Sequence, residues 1–390
     1  MREVAVLGVG MTKFGKTEKT SVEIFAEAAV DAVRESGVRR GDIQALFLGN
    51  VLGDFEEGQM NMAAFCAAEV GLGSVPATRF EGACASATLA LISAYVWVAS
   101  GRYDVVLAGG TERATVMGTP LATRTFAMGQ DSRYESSLGL TFPGVFGMMC
   151  HQYSHKYGVP LAKLKEQMAA VAVKNHDNGL MNPKAHLRRK ITVETVLDPE
   201  KSPMVADPLQ LYDCCPFSDG AAALVLACGD AARRLHGKPV WVAGVGQGSA
   251  GALYRQKDLT IVTAREEAAR QAYRQAGLRP EDIDVCELHD CFTIAEIVAT
   301  ECLGFFPYGT GGDAAERGRT RIGGGVPVNP SGGLKSKGHP IGATGVAQAV
   351  EIAQQLRGEC GERQVDGART GMIDTLGGDL GTVCSVIFRS

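Results

Sequence analysis

The 390-residue sequence predicts an α/β fold built from two copies of one unit that share a core, and three observations carry that prediction. Residues 4–10 (VAVLGVG) and 240–246 (VWVAGVG) agree at five of seven positions, each reading as a buried strand that ends in a glycine turn. Residues 28–50 and 268–290, at a constant offset of 240, share nine of 23 positions, including Gly37/Gly277 and Asp42-Ile43/Asp282-Ile283. Both copies read as a helix, a glycine stop, an acidic turn and a strand. Finally, residues 82–101 (GACASATLALISAYVWVASG) hold no charge and are fenced by Glu81 and Arg102, which predicts a helix buried on all sides of a large core. Repetition on this scale implies two stacked α/β units rather than a short-period solenoid.

Composition narrows the function. A net charge of −4 gives no general attraction to nucleic acid or to an acidic membrane, so an anionic ligand must meet a local basic patch. The uncharged run is a weak membrane span because Ser86, Thr88, Ser93 and Ser100 interrupt it, and no second candidate exists. Eleven cysteines, an odd number without framework spacing, read as reduced thiols in a cytoplasmic setting. The apolar run at 4–9 is short and followed by Lys13 and Lys16, as in a first strand rather than a signal peptide.

In order, residues 1–114 and 218–235 form the first half, 115–217 an inserted loop subdomain, and 236–390 the second half. Gly8-Val9-Gly10 could open a dinucleotide fingerprint, but Lys13 stands where the third glycine belongs. The insertion, rich in Met, Gly and isolated His, has one clear helix at 161–178 and is expected to be a lid or to shape the substrate site. Its cluster Lys184, His186, Arg188, Arg189 and Lys190 could meet a phosphate, against the more frequent reading of a solvated basic face. Residues 218–226 (SDGAAALVL) then read as a turn and a buried strand. A strand at 284–288 runs into His289-Asp290-Cys291-Phe292, at a strand end where α/β sites collect. Residues 329–345 (NPSGGLKSKGHPIGATG) hold His339 between a glycine and a proline. Gly377-Gly378 form a tight turn before the last strand at 381–388, where bare N–H groups could make an oxyanion hole.

Cys84, expected in the first turn of the uncharged helix, is the leading nucleophile, since unpaired helix N–H groups and the dipole stabilise a thiolate. The rival reading is an inert buried cysteine. A cysteine nucleophile, a histidine base and a second cysteine as proton carrier suit acyl transfer coupled to carbon–carbon chemistry. Cys286, His289 and Cys291 could instead ligate a metal, although their spacing matches no common zinc pattern; no metal is expected.

The run 338–345 (GHPIGATG), with Asn329 and Gly332-Gly333 before it, resembles the signature of the thiolase superfamily. Cys84 followed by 100–104 (SGRYD) and 108–112 (AGGTE) is similar to that family's nucleophile helix and next strand. His289-Asp290-Cys291-Phe292 resembles the sterol-carrier-protein type of thiolase and its bacterial and archaeal relatives, among them acetoacetyl-CoA and benzoylsuccinyl-CoA thiolases. The resemblance implies two βαβαβαββ halves stacked as five α-β-α-β-α layers. It implies that Cys84 is acylated, that His339 activates it, and that His289 serves the first oxyanion hole. The family's C-terminal acid/base cysteine is absent from 375–381 (TLGGDLG), so Cys291 would supply that proton transfer. The amides of Cys84 and Gly377 would form the second oxyanion hole, and Cys215 would contact coenzyme A.

The implied function is cleavage of a 3-oxoacyl-CoA by coenzyme A, or the reverse Claisen condensation, with coenzyme A as co-substrate and no permanently bound cofactor. A homodimer is implied, and so is a small zinc-ribbon and OB-fold partner subunit such as several of these relatives use. Asp374-Thr375 departs from the His-Asn pair frequent in the archaeal type, which bears on acetoacetyl-CoA as substrate. A ketosynthase using Cys84, His289 and His339, and a non-catalytic subunit that binds acyl-CoA or lipid, are the alternatives.

Overall fold

The structure, a computed structural model, describes residues 1–235 and 238–390. The chain opens with β1 (Val4–Met11), α1 (Ser21–Ser36), β2 (Leu46–Gly49), α2 (Gly53–Glu56), α3 (Met62–Val70), β3 (Ala77–Phe80), α4 (Ser86–Ala99) and β4 (Val105–Arg113). An excursion follows with α5 (Gly118–Phe126), α6 (Phe142–Tyr157), α7 (Leu161–Met181), α8 (Val193–Leu197), β5 (Met204–Ala206) and β6 (Leu209–Gln210). β7 (Asp219–Cys228) and α9 (Gly229–Leu235) return to the first unit. The second unit runs through β8 (Val240–Ser249), α10 (Thr263–Ala276), β9 (Val285–Glu287), α11 (Thr293–Cys302), α12 (Gly311–Glu316), α13 (Gly333–Ser336), α14 (Thr344–Arg357), β10 (Thr370–Gly377) and β11 (Thr382–Arg389).

The sequence repeat is a topological one. The nine-stranded sheet has the order β3-β2-β4-β7-β1-β8-β11-β10-β9, so β2-β4-β7-β1 is mirrored by β9-β10-β11-β8. In each half the first pair is parallel and the next two are antiparallel. The counterpart of β3 shrinks to a single bridge between Cys286 and Val328. At the seam, β1 and β8 pair only through Ala5–Trp241 and Val6–Val240. α1 and α3 cover the first half outside and α10 the second. α4 and α14 pack on each other between the halves, α14 reaching β1 and β7 on one side and β9 and β10 on the other, which gives the expected five layers.

The repeated glycines explain why the repeat is visible. A Cβ on Gly8 would lie 2.1 Å from Ala32 O and one on Gly10 2.0 Å from Ala28 O; in the second copy Gly244 meets Ala272 O at 2.2 Å and Gly246 meets Ala268 O at 1.9 Å. Bare backbone lets each helix lie directly on its strand, so Gly8 and Gly10 serve packing rather than a dinucleotide.

The uncharged run departs from expectation in two ways. Residues 83–85 form a 3₁₀ turn and α4 starts only at Ser86, which leaves Cys84 outside the helix proper. Nor is α4 buried all round, since Val96 is 47% and Trp97 46% exposed near its C-terminus. Among the described residues, no helix is long and apolar enough to cross a membrane. The excursion is docked on the second half: α7 packs on α11, α12 and α13, with Lys174 paired to Glu296 at 2.6 Å and Asn175 Nδ2 donating to Asp290 Oδ2 at 2.7 Å.

Candidate active site

Cys84 is aimed by a strained turn. Ala83 takes φ 48°, a left-handed conformation that costs a non-glycine residue about 1–2 kcal/mol. The turn is held by Gly82 N donating to Ser86 Oγ at 2.9 Å and Ala83 N donating to Glu81 Oε1 at 2.7 Å.

His339 arrives from the opposite half. Its N–H donates to Ser218 Oγ at 3.2 Å, and its Nδ1 lies 2.7 Å from Thr344 Oγ1. The Thr344 hydroxyl donates to Pro340 O at 3.0 Å, so it must accept from Nδ1–H, which leaves Nε2 with its lone pair free. His289, just beyond β9, stands edge-on to His339 with ring centroids 5.0 Å apart, and its Nδ1 is buried without a partner. Cys84 Sγ and one nitrogen from each imidazole all lie within 4.8 Å of one another.

These groups share the floor of a cavity of about 1020 Å³. Cys291 and Cys215 stand on its wall, tied by Cys215 N donating to Cys291 O at 3.0 Å. Six phenylalanines also line it, among them Phe126 against Phe217 (centroids 4.9 Å apart) and Phe146 stacked on Phe292 (4.5 Å).

Burial favours the neutral forms of the reacting side chains. Burial pushes the Cys84 thiol up to about 12, against the amides of Gly378 and of Cys84 itself, which favour the thiolate. Burial takes His339 down to about 3 and His289 well below its ordinary value, with His339 and Arg265 adding to the latter shift. Burial likewise raises the thiols of Cys291 and Cys215. Burial thus works against the expected low-pKa thiolate, outweighing the nearby amides, and Cys84 precedes the helix instead of lying in its first turn.

The amide of Gly378 meets the sulfur, while its neighbour Gly377 stands in register with Thr382, and a Cβ on Gly377 would lie 2.2 Å from Gly82 O. The basic cluster divides: Lys184 Nζ donates to Met11 O and His186 meets Ser218 Oγ at 2.9 Å, both half-buried, whereas Arg188, Arg189 and Lys190 are exposed, as the reading of a solvated basic face expects. Among the described residues, the one three-residue group able to hold a metal is Cys84 with the two histidines; Cys286 and Cys291 do not join His289 in such a group. Sequence reasoning missed Ser218 and Thr344 as site residues, although each lies inside a motif it singled out, and it did single out the turn that holds Gly378.

Comparison with known proteins places this geometry. The family description "Thiolase, N-terminal domain" matches residues 4–230, and "Thiolase C-terminal domain-like" matches 246–390. The chain is 46% identical over 390 residues, 100% of both chains, to the acetyl-CoA acetyltransferase of Methanothermobacter thermautotrophicus. It is 35% identical to the benzoylsuccinyl-CoA thiolase subunit BbsB of Thauera aromatica, covering 97% of this chain and 95% of that one. Among solved structures, the Ltp2-ChsH2(DUF35) aldolase superposes with a TM-score of 0.83 at 27% identity, over 100% of this chain and 98% of that one.

Proposed function

The chain belongs to the thiolase family and is an acyltransferase, and on that premise we propose that it cleaves a 3-oxoacyl-CoA with coenzyme A, or runs the reverse condensation, through an acyl group carried on Cys84. The observation that carries this reading is the approach of Cys84 Sγ, His289 and His339 to within 4.8 Å on the floor of one cavity.

Because burial favours the neutral thiol and imidazole, proton transfer accompanies attack instead of preceding it. Cys84 Sγ bonds to the 3-oxo carbon while its proton passes to His339 Nε2. The C2–C3 bond then breaks, and the enolate of the departing acetyl thioester takes a proton from Cys291 at C2. In the second half-reaction the thiol of coenzyme A attacks the acyl carbonyl and returns a proton to Cys291, and Cys84 leaves, recovering its own from His339. His289 faces the thioester oxygen in the first oxyanion hole; the amides of Cys84 and Gly377 serve the acyl carbonyl, with Gly378 beside them. Cys215 lies on the path of coenzyme A. Cys291 favours this reaction over a ketosynthase, whose decarboxylating condensation needs no such donor.

The aromatic lining and the volume of about 1020 Å³ favour an acyl group larger than acetyl, of the aryl 3-oxoacyl kind, over acetoacetyl-CoA. A homodimer and a small partner subunit complete the proposal, the latter supported by relatives that are a subunit and a two-component aldolase. A reducing, cytoplasmic setting fits eleven unpaired cysteines. Intact-mass spectrometry after mixing with acetoacetyl- and aryl 3-oxoacyl-CoAs should show an acyl adduct that Cys84→Ala abolishes. An unmodified wild-type chain with every thioester would refute the reading; turnover with malonyl but not acetyl thioesters would select the ketosynthase.

A further inference from the structure

The nucleophile and its base belong to different halves, so something must hold the His339 loop against the first half. Beyond His339 that loop lies flat on strand ends stripped of side chains. A Cβ on Gly110 would stand 1.9 Å from Gly342 O, and one on Gly49 2.7 Å from it. Into this contact projects Glu112 near the end of β4, fully buried. Its carboxylate accepts four hydrogen bonds: from Gly342 N at 3.0 Å, Val51 N at 2.9 Å, Leu52 N at 3.0 Å and Asn50 Nδ2 at 2.8 Å. Gly342 is three residues past His339, and Val51 and Leu52 line the cavity with Cys84. Burial raises Glu112 to about 7, against the amides of Leu52, Val51 and Gly342 and the charge of Arg79, which favour its ionised form; burial and then the charge of Glu112 push the neighbouring Glu56 further, up to about 10.

Resting on the roles proposed for Cys84 and His339, we infer that Glu112 is a positioning residue: one buried carboxylate pins the second half's His339 loop to the first half's cavity wall and so sets the distance between base and nucleophile. Glu112 touches no reacting atom. Its amide analogue offers N–H groups where two of its partners already donate, so the clamp opens although size and shape persist.

The test is Glu112→Gln, alone and combined with His339→Ala, with thermal unfolding followed alongside. For the single variant, kcat should fall about 10- to 100-fold while KM stays within about threefold, because misplacement of the base affects the reacting geometry more than binding. In the His339→Ala background the same change should cost no more than about twofold, since Glu112 acts through that histidine. A folded Glu112→Gln enzyme with kcat within twofold of wild type, or a full additional loss in the His339→Ala background, would overturn the assignment. Should Glu112→Gln not fold, Gly342→Ala approaches the clamp from the opposite side: its Cβ would lie 2.7 Å from Glu112 Oε2. It should give the same split between kcat and KM, and normal turnover would again refute the clamp. If wild type itself forms no acyl adduct, the thiolase reading fails separately. The cycle is then read from the rate of Cys84 alkylation by iodoacetamide, with the same non-additivity expected.

Discussion

At the scale of single residues, the site shows desolvation overruling local dipoles. Cys84 sits beside two backbone amides that favour its thiolate, yet burial holds the thiol near 12 and the His339 imidazole near 3. A cysteine–histidine ion pair would place a thiolate plateau near neutral pH. Instead, the rate of Cys84 alkylation by iodoacetamide should keep climbing through pH 9, beyond the ordinary thiol value of about 8.5. Nitrogen NMR of labelled histidine should show neither His289 nor His339 titrating between pH 5 and 8; a midpoint near 6.5 at either would contradict the neutral forms that burial favours. A second carboxyl pair gives a stability prediction. Asp379 accepts from Leu253 N at 3.3 Å and Glu135 from the next amide, Tyr254 N, at 2.9 Å. Burial, then the adjoining Glu135, raises Asp379 to about 7. A carboxyl raised in the folded state favours folding below that value and disfavours it as pH rises through it. Between pH 6 and 8.5 the Tm of wild type should therefore fall more than that of Asp379→Asn.

Individual elements reveal what a sequence can and cannot disclose. The repeat was legible because it records one packing contact used twice, Gly10 on Ala28 and Gly246 on Ala268, and contacts this close tolerate no side chain. Gly10→Ala and Gly246→Ala should each cost about 1–3 kcal/mol or more in denaturant unfolding, by similar amounts because the two sites are equivalent. Strands and the insertion helix were also legible, the helix running Leu161–Met181, three residues past its expected end. The start of α4 was not, because small residues at 82–86 suit a helix and a tight turn alike, and the left-handed φ of Ala83 belongs to tertiary contact. Cys84, His289, Cys291 and His339 stood out through their motifs and do converge on one cavity. The partners that orient them did not stand out: Ser218 lies 121 residues from His339, and no spacing rule connects a hydroxyl to an imidazole at that distance in the chain. Nor could composition disclose the thiol's shift, which depends on how much protein surrounds it.

For the whole molecule, the excursion and the second half are joined by buried charge. Lys174 and Glu296 are 3% and 0% exposed, and Lys174 Nζ also donates to Val328 O at 2.8 Å. Lys174→Met strands a carboxylate in the core and should cost about 3–5 kcal/mol in urea unfolding, whereas Lys174→Met with Glu296→Leu should recover much of that loss. The seam between the halves is of a different kind. β1 and β8 share only two paired positions, so helix packing of α14 on α4, β1 and β7 joins the halves, and Cys84 and His339 meet from opposite halves. Such a molecule carries a gauge of its own assembly, because a slight parting of the halves leaves every helix intact while disarming the sulfur. On gentle urea treatment turnover should vanish before far-ultraviolet circular dichroism changes, and in refolding it should be the last property to return.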